Sequence, residues 1–250
     1  MQGESGSRVD LTFDFTGKTV FVTGASRGIG REIALSFARD GARLILSARN
    51  AEALEGVAQE ARDLGAAVET FILDQRDVDA IRAQIAPLGP IDVLVNNAGV
   101  EEVRPTLEAD EALWDKIVDT NLKGAFFVAQ AVASKMAAAG SGAIVNLASL
   151  TSYVGVPGAV PYGASKSGIL GMTRAMAAEW APMGIRVNAI APGEIETAIL
   201  SPGTDKIVEN IPLRRLGTTA EVAETIFFLC SNASSCVTGS EIHINGGQHV

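Results

Sequence analysis

Cysteine, histidine and tyrosine are all scarce in this chain, with two of each among 250 residues. Two cysteines, Cys230 and Cys236, without a secretory signal pattern exclude a disulfide framework and fit a reducing cytoplasm. The histidines, His243 and His249, have no zinc-type spacing, so no metal is expected. Positive charge is short as well: 20 Lys and Arg against 29 Asp and Glu leave a net charge of −9 and a pI near 4.8. That balance argues against a wide grip on nucleic acid or on an anionic membrane. No uninterrupted apolar run approaches the roughly 18–20 residues that span a bilayer. Small-molecule chemistry in a soluble, cytoplasmic protein is the class left standing.

What the chain does have is enough apolar material, 47%, for one full core. The stretch 1–14, MQGESGSRVDLTFD, shows no sustained periodicity and reads as a frayed leader ahead of a single domain over 15–250. Beyond Gly17 one unit recurs: an apolar run rich in β-branched residues, a turn, then a helical stretch. Strands are expected at 19–23, 43–48, 67–73, 91–95, 143–149, 185–191 and 241–244. Helices are expected over 28–40, 51–64, 77–86, 110–138 and 160–180, and near 219–230. Strands apolar on both faces and alternating with helices predict an α/β, doubly wound parallel sheet of the nucleotide-binding type.

The first strand runs into TGASRGIG, Thr23 to Gly30, and a helix follows. Gly24, Gly28 and Gly30 permit a tight turn and a close approach of backbone to ligand, while a helix N-terminus offers N–H groups to a pyrophosphate. The second strand ends LILSARN, with no acid before Glu52 to bind both adenosine ribose hydroxyls. Arg49, and Arg27 within the glycine turn, can instead hold a 2′-phosphate, which predicts NADP with NAD as the alternative; two solvated arginines are the bland reading.

TGASRGIG, NNAG (96–99), Ser149, YGASK (162–166) and APG (191–193) occur in the order and spacing of the short-chain dehydrogenase/reductase family, which the chain resembles from about residue 15 to its end. The resemblance implies a single Rossmann-like domain with a seven-stranded parallel sheet and a four-residue set of Asn121, Ser149, Tyr162 and Lys166. Tyr162 would exchange the proton with the substrate oxygen, and Lys166, four residues on, would bring the phenol pKa down toward working pH. A plain surface Tyr–Lys pair is the alternative. Ser149 would hold the substrate oxygen, and Asn121 a water that links the lysine to solvent. Ser26, Ile29, Asn97, Ala98 and Gly99 would join the glycine turn around the cofactor, with Tyr162 and Lys166 also touching it. Pro192, Gly193, Ile195 and Thr197 would hold the nicotinamide amide. Asp74, ending the third strand, can accept from the adenine amino group or be a solvated loop aspartate. Tyr153 lines the substrate pocket or packs, and Cys230 belongs to an apolar helix face.

These residues imply an NADP(H)-dependent oxidoreductase that interconverts a secondary alcohol and a ketone on a small-molecule carbonyl or alcohol substrate. The family's assembly region implies a homotetramer. A carrier-bound 3-oxoacyl reductase is the alternative, disfavoured because Ala125 to Asn146 offers only Lys135 as a basic landing point and 178–184 has Glu179 and no base. A catalytically silent dinucleotide sensor is the alternative of another class. The substrate loops are expected near 100–107, 150–160 and 194–212.

Overall fold

The computed structural model describes residues 13–196 and 204–250, with 204–206 by backbone alone. The strands are β1 (Thr19–Thr23), β2 (Arg43–Ala48), β3 (Val68–Ile72), β4 (Val93–Asn96), β5 (Gly142–Leu147), β6 (Ile185–Pro192), β7 (Ile195–Glu196), β8 (Gly217–Thr218) and β9 (Glu241–Ile244). Seven of them form one sheet in the order β3-β2-β1-β4-β5-β6-β9, and every pairing in it is parallel. The short strands β7 and β8 pair separately. The order reverses between β1 and β4, and a crevice opens at the carboxyl ends of strands at such a switch point.

Helices α1 (Gly28–Arg39), α2 (Ala51–Asp63) and α8 (Thr219–Cys230) cover one face of the sheet, and α3 (Val78–Ile85), α5 (Ala125–Ala139) and α6 (Val160–Trp180) the other. Two further helices, α4 (Glu111–Val118) and α7 (Thr204–Glu209), complete the set among the described residues. Parallel strands need both faces covered, and β1 shows it: Val20 and Val22 belong to one core cluster and Phe21 to the other. On the first face the rings of Phe15, Phe37 and Phe227 meet edge-on or tilted, with centroids 4.4–5.4 Å apart, and Phe13 packs on Phe227 at 5.9 Å.

Four helices start on a side-chain cap: Asn50 for α2, Asp77 for α3, Asp110 for α4, and a reciprocal Thr218–Glu221 box for α8. α1 has none. Its first-turn N–H groups therefore stay available at the sheet's carboxyl edge, where a ligand can take the place of a cap.

The expected helix over 110–138 is interrupted. Between α4 and α5 the segment Asp119–Gly124 forms a π-helical turn. A Cβ on Gly124 would collide with the Gln75 carbonyl, and Gln75 donates from Nε2 to the Thr120 carbonyl at 2.6 Å. The extra residue in this turn is thus held by contacts with the loop after β3. The fifth strand also stops at Leu147 rather than 149, because Ser149 leaves the ladder to cap a short 3₁₀ turn, accepting from Thr151 N at 3.2 Å.

Candidate active site

A cleft of about 670 Å³ lies at the carboxyl edge of β1, β2, β3 and β4. Of the residues expected at a cofactor, Gly24, Ser26, Arg27, Gly28, Ile29, Gly30, Arg49, Asp74, Asn97, Ala98 and Gly99 all line it. Backbone geometry fits the walls to a ligand. Gly24 is left-handed (φ +66°), and a Cβ there would stand 2.7 Å from the Ala98 Cα; a methyl on Gly30 would collide with the Gly24 carbonyl and the Asn97 amide. Side chains at either point would push the floor apart. Thr23 fixes that floor: its hydroxyl accepts from the backbone N–H of Asn97 and of Ala98, both at 3.0 Å, while Asn97 Nδ2 donates back to the Thr23 carbonyl at 2.8 Å. Asn96 ties the same turn sideways, donating to the Ala125 carbonyl at 2.7 Å and to Asn146 Oδ1 at 3.2 Å. Glycine turn, open helix end and bonded floor suit a dinucleotide.

Arg27 and Arg49 are both exposed on this cleft and neither forms an ion pair among the described residues. Asp74 differs from its expected role. Arg76 donates to both its carboxylate oxygens, at 3.0 and 3.1 Å from Nε alone, and holds the carboxyl below its ordinary pKa. An acceptor already bonded this way has little capacity left for an adenine amino group. The sequence contained the signal, an arginine two residues after the aspartate, but read Asp74 without it.

Where the cleft ends at Gly99 the expected catalytic residues begin. A Cβ on Gly99 would lie 3.3 Å from Asn121 Oδ1 and 3.6 Å from Lys166 Nζ. Asn121, buried in the π-helical turn, accepts from Val100 N at 2.7 Å and donates to the Val100 carbonyl at 2.9 Å and to Ser165 Oγ at 3.2 Å. Its side chain therefore clamps the backbone beside the cleft, a role not anticipated from the water-holding part expected of it. Lys166 is 5% exposed and donates to the Leu147 carbonyl at 2.7 Å. Burial brings its pKa down to about 8, with Glu101 pulling the other way.

The Ser149 hydroxyl lies near enough to the Tyr162 phenol to favour its ionised form. The phenol itself departs from expectation. Instead of falling under the influence of Lys166, its pKa is raised to about 12, first by burial and then by the charge of Glu101, with Glu194 adding to it and the Ser149 hydroxyl opposing. The Lys166 ammonium stands 5.7 Å from the ring centroid and is directed to the Leu147 carbonyl, so desolvation of the phenol wins.

Glu101 and Glu194 were missed by sequence reasoning as site residues. They lie in the loops that leave β4 and β6, the two strands flanking β5 and its Ser149. Adjacency of those strand ends follows from the sheet order, which a reading of separate motifs does not weigh. Gln75 was missed too. It is 4% exposed, and its Nε2 joins the Thr120 carbonyl of the π-helical turn to the Ala98 carbonyl at 3.2 Å.

Pro192 ends β6, Gly193 and Ile195 follow it, and none lines the cleft; a Cβ on Gly193 would strike Asn245. Thr197 lies outside the described residues. Tyr153 packs its ring on His243 at 4.4 Å, which in turn stacks on His249 at 3.9 Å. Cys230 packs against the core, and burial pushes its thiol up to about 12. Lys135 spends its ammonium on the Ala86 and Leu88 carbonyls, at 3.0 and 2.6 Å, past the end of α3.

Comparison with known proteins agrees with this fold. A family model described as enoyl-(acyl carrier protein) reductase matches residues 24–249. A crystal structure of a putative short-chain alcohol dehydrogenase from Sinorhizobium meliloti is 50% identical, with a TM-score of 0.89 over 95% of this chain and 98% of that one. The 3-oxoacyl-[acyl-carrier-protein] reductase of Thermotoga maritima is 42% identical over 92% of this chain and 97% of its own. A gluconate 5-dehydrogenase of Burkholderia cenocepacia, solved with NADP and tartrate, is 35% identical with a TM-score of 0.89, covering 95% of this chain and 97% of that one.

Proposed function

The chain belongs to the short-chain dehydrogenase/reductase family and is an NAD(P)-dependent oxidoreductase acting on CH–OH groups, and on that premise we propose that it interconverts a secondary alcohol and a ketone on a free small molecule, with NADP(H) preferred and Tyr162 exchanging the proton. The observation that carries this reading is the junction at Gly99, where the dinucleotide-shaped cleft meets Asn121 and Lys166 within 3.6 Å of a single Cβ position.

The bound nicotinamide supplies or takes up the hydride at the reacting carbon. The glycine turn and the uncapped start of α1 would hold its pyrophosphate, and Arg27 and Arg49 a 2′-phosphate. In ketone reduction the Tyr162 O–H bond breaks and its proton passes to the carbonyl oxygen as that oxygen gains charge, while Ser149 donates to the same atom. With a pKa near 12 the phenol is protonated at neutral pH, which suits it to donate. Oxidation runs the proton the other way and requires the phenol to lose it, so burial and the nearby acids weigh against that direction until ligands change the field. Lys166, with a pKa near 8, can give up and regain a proton near neutrality. Asn121 fixes the wall at Val100, on the far side of the Gly99 junction.

A carrier-bound 3-oxoacyl substrate is the second reading, favoured by the name of the Thermotoga maritima relative. Against it, α5 offers a single cation, Lys135, whose ammonium is turned to the Ala86 and Leu88 carbonyls, and one such charge is a small landing surface for an acidic carrier. We further propose a homotetramer in the cytoplasm. Support for assembly comes from a groove between α5 and α6 lined by Phe126, Met172, Trp180 and Met183, and among the described residues no helix is long and apolar enough to cross a membrane. Purified protein assayed with NADPH and NADP⁺ against ketones, polyols, and one oxoacyl group on a minimal thioester and on a carrier tests the function. Turnover of free carbonyls or alcohols is expected, and a hundredfold higher kcat/KM on the carrier would replace the reading with its rival.

A further inference from the structure

Among the described side chains, the charges that surround the reacting centre are unbalanced in one direction. Loop 100–107 contains two adjacent acids with different surroundings. Glu102 is neutralised by Arg104 at 2.6 Å and Lys116 at 2.8 Å, and Arg104 turns its other nitrogen to Asp110 at 3.1 Å. Those pairs use up the loop's cation, and Arg104 N is further bonded to the Gly158 carbonyl at 3.0 Å, which joins this loop to the one after β5. Among the described residues Glu101 has no ion pair. It follows Gly99 and Val100, whose backbone is pinned beside Asn121 and Lys166, so the chain delivers it to the mouth of the catalytic set.

Glu194 arrives from the other side. It follows β6, its carbonyl accepts from Gly217 N at 3.0 Å, and among the described residues its carboxylate has no ion-pair partner. Because β5 lies between β4 and β6, the two loops bracket the end of β5, where Ser149 stands. Loop 150–160 contributes no Lys, Arg or His at all. Arg214 and Arg215, just past the third loop, are turned to the Glu209 carbonyl and to Glu221.

We propose that Glu101 and Glu194 form the substrate-selecting wall of this site, accepting from hydroxyl or ammonium groups on carbons next to the reacting one and rejecting substrates that carry a carboxylate or phosphate there. This rests on the dehydrogenase reading given above and names its substrate class. A carboxylate brought between them would meet two like charges, and Lys166, the cation whose charge reaches Glu101 among the described residues, is already bonded to the Leu147 carbonyl. A hydroxyl or ammonium instead supplies the donors that two acceptor-only groups lack.

The test uses sets that share a skeleton and differ at one carbon: 1,2-propanediol, 1-amino-2-propanol and lactate, with the one-carbon-longer 1,3-butanediol, 4-amino-2-butanol and 3-hydroxybutyrate. For each, kcat/KM with NADP⁺ and the Kd of the dead-end complex with enzyme and NADPH, read by NADPH fluorescence, are measured on wild type and on Glu101→Gln/Glu194→Gln. The donor-bearing members are expected to exceed the acid at least tenfold in wild type, and that ratio to fall at least tenfold in the double variant, mainly through KM. An amino alcohol in first place identifies a cationic substrate, and a diol in first place a neutral polyol; either supports the wall. Acid bound as well as diol by wild type, or a ratio unmoved by the double variant with its far-UV spectrum intact, overturns it. If no alcohol is turned over, the dehydrogenase reading fails on the kinetic arm, while the binding arm still reads the charge preference by itself.

Discussion

Replacing Lys166 by methionine removes an ammonium that is 5% exposed and keeps a side chain of similar length. Burial lowers its pKa from 10.5 to about 8, so the folded protein binds this proton less tightly than the unfolded chain does. At 1.36 kcal/mol per pH unit, keeping the lysine charged in the fold costs about 3 kcal/mol at neutral pH. Methionine escapes that cost but loses the bond to the Leu147 carbonyl, worth about 1 kcal/mol. A net gain of about 2 kcal/mol remains, which for a chain of this length raises Tm by about 4–8 °C. The sign has a pH signature. The unfolded chain holds more protons than the fold between pH 8 and 10.5, so wild-type stability from this group rises with pH across that window. The advantage of Lys166→Met is therefore full below pH 8, shrinks between pH 8 and 10.5, and is gone above it. Thermal denaturation of both proteins at pH 7 and pH 10.5, with turnover measured alongside, is the assay; the variant should be more stable at pH 7 and almost inactive. A variant less stable than wild type at pH 7, or a gain that does not shrink by pH 10.5, refutes the reasoning.

Arg49→Asp places a carboxylate where the 2′-phosphate is proposed to bind, so the ratio of kcat/KM with NADPH to that with NADH should drop by at least the roughly tenfold that one charge-assisted hydrogen bond supplies. A wild type that favours NADH, or a ratio unchanged in the variant, removes Arg49 from cofactor choice. Gly30→Ala puts a methyl into the Gly24 carbonyl and the Asn97 amide, an overpacking of about 1–3 kcal/mol at the cleft floor. It should lower Tm by several degrees and weaken NADPH binding at least tenfold in a fluorescence titration.

The strand runs and the glycine turn were legible because each is written locally. A β-branched run such as TVFVT fixes a buried strand by itself, and 19–23, 43–48 and 241–244 coincide with β1, β2 and β9. The π-helical turn at Asp119–Gly124 was not legible. Apolar spacing runs through 110–138 without a break, and what holds the turn is Gln75, 45 residues before Thr120 in the chain. Motif order brought Asn121, Ser149, Tyr162 and Lys166 to notice, and the fold brings Asn121 and Lys166 beside Gly99. The i+4 spacing of Tyr162 and Lys166 speaks of one charge, whereas burial and two glutamates from other strand ends also act on the phenol and push its pKa up. Asp74 was read without its neighbour Arg76, and the pairing between them changes what it can accept.

The central claim is that Tyr162 exchanges the substrate proton at a site whose cofactor cleft does not depend on the phenol. Steady-state kcat of Tyr162→Phe on the best ketone or alcohol found for wild type, together with its NADPH Kd by fluorescence, tests this most directly. Turnover is expected to fall by the ~10²–10⁴ that general acid–base catalysis contributes, with Kd within a few-fold of wild type. Near wild-type turnover by a folded Phe variant would contradict it.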